Sequence, residues 1–299
     1  MKAIIFGING QDGFYLKQHC ESVGISCIGV SRSEGAWLRG SVSDFDFVGR
    51  HIKNEKPDFV FHLAANSTTR HDALFENHEA ISTGSLNILE AVYKFCPHAR
   101  VFITGSGVQF QNKGLPISEN DPFEATSPYA IARIQSVYAA RYYRRLGIRT
   151  YVGYLFHHES PLRKNAHMSR RVIVALAEIL TGKRDKLEIG DPTVQKEWGF
   201  AGDIAEGILK LVMQDTVAEA AIGTGKAYSI LDWIKICFQL VGLDWQGYVI
   251  PQKSNFTSEY PVLVSNPAVM KSIGWEAKMG IEELAELMVT GFPITVNKK

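Results

Sequence analysis

The chain has 299 residues, 45% hydrophobic and 21% charged, with 32 basic against 31 acidic side chains. That composition excludes a largely disordered chain, and a formal charge of +1 excludes a global field that gathers nucleic acid or an acidic membrane. No apolar run reaches the roughly 18 residues of a membrane span.

Taken in chain order, residues 2–7 are a short apolar run and read as a first strand rather than a signal peptide. Residues 14–23 show helical spacing, 26–30 a second strand, 44–54 a helix and 59–65 a strand. Residues 73–95 read as one long helix, 101–104 as a strand, 128–146 as a helix and 149–156 as a further strand. Strand–helix alternation predicts parallel strands with helices on both faces, and right-handed crossovers wind such a sheet doubly. Beyond about residue 157 the rhythm changes to helices at 168–181, 203–213, 231–241 and 281–289, separated by polar loops. The expected fold class is α/β: a doubly wound parallel (Rossmann) sheet with a smaller, mostly α, substrate-binding domain. The expected division is 1–157 and 158–299, with some later segments returning to the first unit. The cysteines Cys20, Cys27, Cys96 and Cys237 have no C-x-x-C spacing and read as reduced thiols of a cytoplasmic protein.

The strongest local signal is Gly7-Ile8-Asn9-Gly10-Gln11-Asp12-Gly13. Glycines between a first strand and a first helix let the backbone approach a pyrophosphate, and the helix N-terminus offers free N–H groups. This marks Gly7, Asn9, Gly10, Gln11, Asp12 and Gly13 as cofactor-binding candidates; the alternative is a tight strand–helix turn. The second strand ends in Ser31-Arg32-Ser33, where an NAD site would carry Asp or Glu. A guanidinium suits a 2′-phosphate, which favours NADP(H); the alternative is an exposed loop arginine. Tyr129 and Arg133 stand at i and i+4 of a helix and share one face. A fixed cation beside a phenol stabilises phenolate and equips it for acid–base work. The alternative is a core tyrosine beside an exposed arginine. His157-His158 lack acidic or cysteine partners at ligand spacing, so no metal is expected. Arg141, Arg144, Arg145 and Arg149 read as a solvated face or a subunit contact.

The chain resembles the extended short-chain dehydrogenases/reductases and, within them, the GDP-mannose 4,6-dehydratases and their reductase relatives. The resemblance runs over nearly the whole length. It rests on GINGQDGFYL (7–16), HLAA (62–65), SPYAIAR (127–133), LFHHESPLR (155–163), WGFAGD (198–203) and SNPAVMKSIGW (265–275). It implies a nucleotide-sugar substrate, GDP-linked, and a homodimer or homotetramer. It implies Tyr129 as acid/base, Arg133 as its electrostatic partner, Ser106 as hydrogen-bonding helper, and Ala64 beside the cofactor. His157, Glu159, Arg163, Arg171, Lys196 and Glu259 fall on sugar-nucleotide positions, with Phe256 where a phosphate-binding arginine is common.

The departures are Arg133, where the family usually has Lys, and Val108, where its dehydratases carry Glu. A hydrocarbon cannot remove the C5 proton that dehydration requires. The expectation is therefore a 4-keto sugar-nucleotide reductase first. A 4,6-dehydratase with a substitute base, His157 the first candidate, comes second, and a cofactor-bound pseudoenzyme third.

Overall fold

The computed structural model describes residues 1–251 and 260–292. Its centre is a seven-stranded sheet built from β1 (Lys2–Phe6), β2 (Ser26–Ser31), β3 (Leu38–Arg39), β4 (Phe59–His62), β5 (Arg100–Ser106), β6 (Arg149–Leu155) and the strand Glu219–Ile222. The order across the sheet is Glu219–Ile222, β6, β5, β4, β1, β2, β3, and every pairing is parallel. The chain runs outward from β1 through β2 and β3, then returns to the other side of β1 as β4. That reversal opens a crevice at the carboxyl ends of β1 and β4, the place where open α/β sheets bind ligands.

Parallel strands buried on both faces need an apolar layer on each. One layer packs α2 (Phe45–Glu55) and the helices Gly84–Phe95 and Pro128–Arg145 through Val48, Ile88, Leu89, Val137 and Ala140. The other packs α1 (Gln11–Ser22) and the helix Ala201–Val212 through Leu16, Cys20, Ile204 and Ile208. A third apolar cluster joins the helices Met168–Leu180, Ile230–Gln239 and Ile281–Thr290. Within it, Trp198 and Trp233 stack with ring centroids 4.5 Å apart and planes 7° from parallel.

The sequence reading has no strand at Glu219–Ile222 or Leu38–Arg39. Both are too short to show a period. The expected long helix at 73–95 is interrupted: a 3₁₀ turn (His71–Ala73), a short α segment (Leu74–Asn77) and a π stretch (His78–Thr83) precede Gly84–Phe95. The π stretch is fixed against the tyrosine helix by Ser82 Oγ, which donates to Gln135 Oε1 at 2.7 Å. Among the described residues no helix is long and apolar enough to cross a membrane.

Candidate functional site

The glycine turn is shaped by contact. Gly7 has φ +97°, and a Cβ there would lie 2.6 Å from the Ala64 nitrogen. A Cβ on Gly13 would lie 2.5 Å from the Gly7 oxygen. Gly10 caps α1 without any side-chain acceptor, leaving the first N–H groups of the helix for an anion. A cleft of about 450 Å³ opens over this turn, lined among others by Gly7, Asn9, Gly10, Gln11, Arg32, Ala64 and Glu79. The donors, the missing Cβ atoms and the cleft fit a dinucleotide.

Two cofactor candidates do something else. Gly13 lets α1 approach the turn and does not line the cleft. Asp12 is a correction: its Oδ1 lies 2.8 Å from His158 Nε2, while His158 Nδ1 donates to the Phe156 carbonyl at 2.7 Å. Both neighbours of the ring are acceptors, so His158 carries both protons. Burial opposes its charge, but Asp12 outweighs burial and raises its pKa. Burial likewise opposes the Asp12 charge, and His158 outweighs it and holds that carboxyl low. Gln11, although it touches the cleft, accepts from Ser160 Oγ at 2.9 Å. The GQDG and HHES motifs thus clamp α1 to the segment after β6.

The tyrosine helix starts where Ser127 accepts from the Ala130 N–H at 3.2 Å, with proline in its first turn, a strong start signal. Tyr129 is half-buried, and Arg133, one turn on, is 3% exposed. The Arg133 guanidinium lies 5.0 Å from the Tyr129 ring centre and donates to the Thr104 carbonyl at 2.7 Å, two residues before Ser106 in β5. Its Nε has no partner among the described residues. His62, at the end of β4, is 1% exposed, and among the described residues neither ring nitrogen has a well-formed hydrogen-bond partner. Burial and the Arg133 charge push its pKa down to about 3, so it is neutral. Ser106 is buried, and its N–H donates to Gln109 Oε1 at 2.8 Å. Val108 packs against the sheet core, and Gly107 is required because a Cβ would lie 2.8 Å from the Phe156 ring.

The segment after β6 carries three of the six expected sugar-nucleotide residues, His157, Glu159 and Arg163. Glu159 is 1% exposed; it meets His157 Nε2 at 2.8 Å and Arg163 Nε at 2.7 Å. Burial would raise its pKa, but the surrounding charges hold it below the carboxylate range. His157 Nδ1 donates to the Glu197 carbonyl at 2.7 Å. Burial and the Lys196 charge push its pKa down to about 4, against the opposing Glu159 charge. Both His157 nitrogens thus face protein oxygens, and the residue is not among those lining the cleft over the glycine turn. Burial lowers Lys196 to about 8, against the opposing Glu159 charge, and its Nζ lies 5.1 Å from the Trp198 ring centre. Arg171 is exposed on the first turn of Met168–Leu180. Its neighbour Arg170 stacks 4.5 Å from the Phe292 ring. Glu259 and Phe256 lie outside the described residues.

Three further findings alter the sequence reading. Arg32 is paired, its Nη2 3.1 Å from Glu76 Oε1. Arg141 and Arg144 are not a solvated face: both bind Glu219, at 2.7 and 2.8 Å, and tie the tyrosine helix to the seventh strand. Glu197 was passed over. Fully buried, it accepts from the Ser265 N–H and hydroxyl at 2.6 Å each and from the Gly225 N–H at 3.1 Å. Its place just before the quoted WGFAGD run was the available signal. Among the described residues no group of three or more His, Cys, Asp or Glu could hold a metal.

The sequence pattern of the family described as GDP-mannose 4,6 dehydratase matches residues 4–288. GDP-mannose 4,6 dehydratase 1 of Arabidopsis thaliana is 29% identical over 318 residues, covering 96% of this chain and 88% of that protein. Among solved structures, dTDP-glucose 4,6-dehydratase of Bacillus anthracis, in complex with NAD, superposes with a TM-score of 0.84 at 17% identity. It covers 97% of this chain and 96% of its own. The Pseudomonas aeruginosa protein RMD, complexed with NADPH, gives 0.85 at 18% identity, covering 97% and 98%. These structural likenesses establish the doubly wound fold from end to end. Matched across nearly its whole length, the chain belongs to the GDP-mannose 4,6-dehydratase family of extended short-chain dehydrogenases/reductases.

Proposed function

We propose that the protein acts on a GDP-linked hexose by NADP(H)-dependent hydride transfer at C4, and that it is a 4,6-dehydratase of the GDP-mannose type. The observation that carries the chemistry is the buried Arg133 cation, 5.0 Å from the Tyr129 ring and anchored to β5 beside Ser106. The family membership supports the substrate and the dehydratase step. Gly7, Asn9, Gly10 and Ala64 would hold the dinucleotide and Arg32 its 2′-phosphate; relatives of this fold bind NAD in one case and NADPH in another. When bound, the nicotinamide supplies and receives hydride.

The chain's own residues do the rest. Tyr129 takes the proton from the C4 hydroxyl, Arg133 stabilises the phenolate, and Ser106 holds the oxygen. Arg163, Lys196 and Arg171 offer positive charge to the diphosphate. A 4-keto group acidifies the C5 proton, and removing it requires a base. Glu79 and His167, which line the same cleft, are the groups available.

Val108 favours a second reading, the 4-keto sugar-nucleotide reductase, because reduction needs no C5 base. Mass spectrometry of GDP-mannose incubated with enzyme and NADP⁺ in heavy water separates the two. Dehydration removes one water and leaves solvent deuterium on the sugar, and Glu79→Gln or His167→Asn then stops it. An unchanged sugar, with NADPH consumed only when a 4-keto sugar nucleotide is added, establishes the reductase.

A further inference from the structure

The adenosine end of the cleft holds a conflict. Arg32 leaves β2 flanked by hydroxyls that form a small network: Ser31 and Ser33 Oγ are 3.1 Å apart, and Asn9 Nδ2 donates to Ser33 Oγ at 3.0 Å. These groups suit a phosphate. Yet the guanidinium is answered by Glu76, on the short helix Leu74–Asn77, at 3.1 Å. The other Glu76 oxygen accepts from Asn66 Nδ2 at 2.8 Å, and Asn66 also lines the cleft. The hydrogen bonds from Arg32 and Asn66 keep this carboxyl ionised. Arg32 is 61% exposed and Glu76 44%; Arg32 lines the cleft, and Glu76 lines the pocket that adjoins it at Asn66.

A 2′-phosphate arriving at Arg32 must displace this carboxylate or sit beside it, and a dianion beside an anion is repelled. A free 2′-hydroxyl meets no such repulsion. We infer that Glu76 is a specificity-determining residue that competes with the 2′-phosphate for Arg32 and narrows the preference for NADP(H) over NAD(H). Specificity is a difference of affinities, and a repulsive element changes it as surely as an attractive one. This inference rests on Arg32 being the 2′-phosphate contact.

Calorimetric titration of the full chain with NADPH and NADH, for wild type, Arg32→Ala, Glu76→Gln and the double variant, tests it. Exposed ion pairs are weak, so Glu76→Gln should tighten NADPH by about three- to tenfold and change NADH by less than about twofold. The double variant should show no such gain, because the effect of Glu76 runs through Arg32. Unchanged or weaker NADPH binding in Glu76→Gln overturns the competition, leaving the cofactor assignment intact if Arg32→Ala loses its NADPH preference. Weaker NADH binding in Glu76→Gln overturns it as well, making Glu76 an acceptor for the ribose hydroxyl. An Arg32→Ala variant with the wild-type preference overturns the cofactor assignment, and the inference with it.

Discussion

Two knots of buried polar side chains in this protein are built to opposite rules. In the clamp of Gln11, Asp12, His158 and Ser160, each side chain finds a partner, and the single buried cation faces a single carboxylate. In the other, Arg133 is as deeply buried but donates to one neutral carbonyl, with Nε lacking a partner among the described residues and the neutral ring of His62 as neighbour. Buried polar groups are normally satisfied. A completed set holds segments together, whereas an incomplete one leaves a charge with room for a further partner, here beside the Tyr129 ring.

The largest effect expected from this contrast lies at the incomplete knot. Tyr129→Phe should lower turnover about 10²–10⁴-fold, the usual worth of positioned proton transfer, with nucleotide binding unchanged by titration. Retention of more than a tenth of the rate would break the contrast, since Arg133 would then have no proton donor to serve.

The clamp should respond in stability instead. His158→Ala leaves Asp12 buried without its cation and should lower unfolding free energy by about 3 kcal/mol, the range for breaking a buried pair. The sign with pH follows from both partners. Asp12, held below its ordinary 3.8, contributes above that value and loses its contribution as pH falls through the lower folded one. His158, raised above 6.5, contributes below that value and loses its contribution as pH rises through the higher folded one. Thermal melts of wild type and variant should therefore differ most between these limits and converge on either side. A constant gap across the range would mean that the lost packing, not the pair, sets the effect.

The smallest effect sharpens the comparison at a third point. Lys196, lowered to about 8 by burial, loses its proton near that pH in the free protein. GDP affinity should then fall as pH rises above 8, by up to about tenfold per unit, and Lys196→Arg should abolish the break. A flat profile in the wild type would remove Lys196 from the diphosphate site.

What could be read in advance follows the range of the forces involved. The glycine turn and the Ser127-Pro128 start of the tyrosine helix are local patterns, and the structure has both where the residues put them. Asp12 looked like a cofactor contact because its partner His158 stands 146 residues away. Arg32 looked free because Glu76 is 44 residues on, and Arg141 because Glu219 is 78 residues on. Residues 73–95 carry no proline to announce a break; the π stretch at His78–Thr83 comes from packing on the tyrosine helix, which no periodicity records. Val108 was legible as a lost base, but its packing against the sheet core depends on neighbours that only the fold assembles.

The stacked indoles of Trp198 and Trp233 have an optical consequence. Two transition dipoles at so short a separation couple and split their absorption into a paired positive and negative band in circular dichroism. The sign and size of that couplet depend on the angle between the rings. Trp198 follows Lys196 and touches the edge of His157, while Trp233 sits on the helix Ile230–Gln239. The protein therefore carries a built-in goniometer between the Lys196–Trp198 segment and the helix Ile230–Gln239, readable without any label.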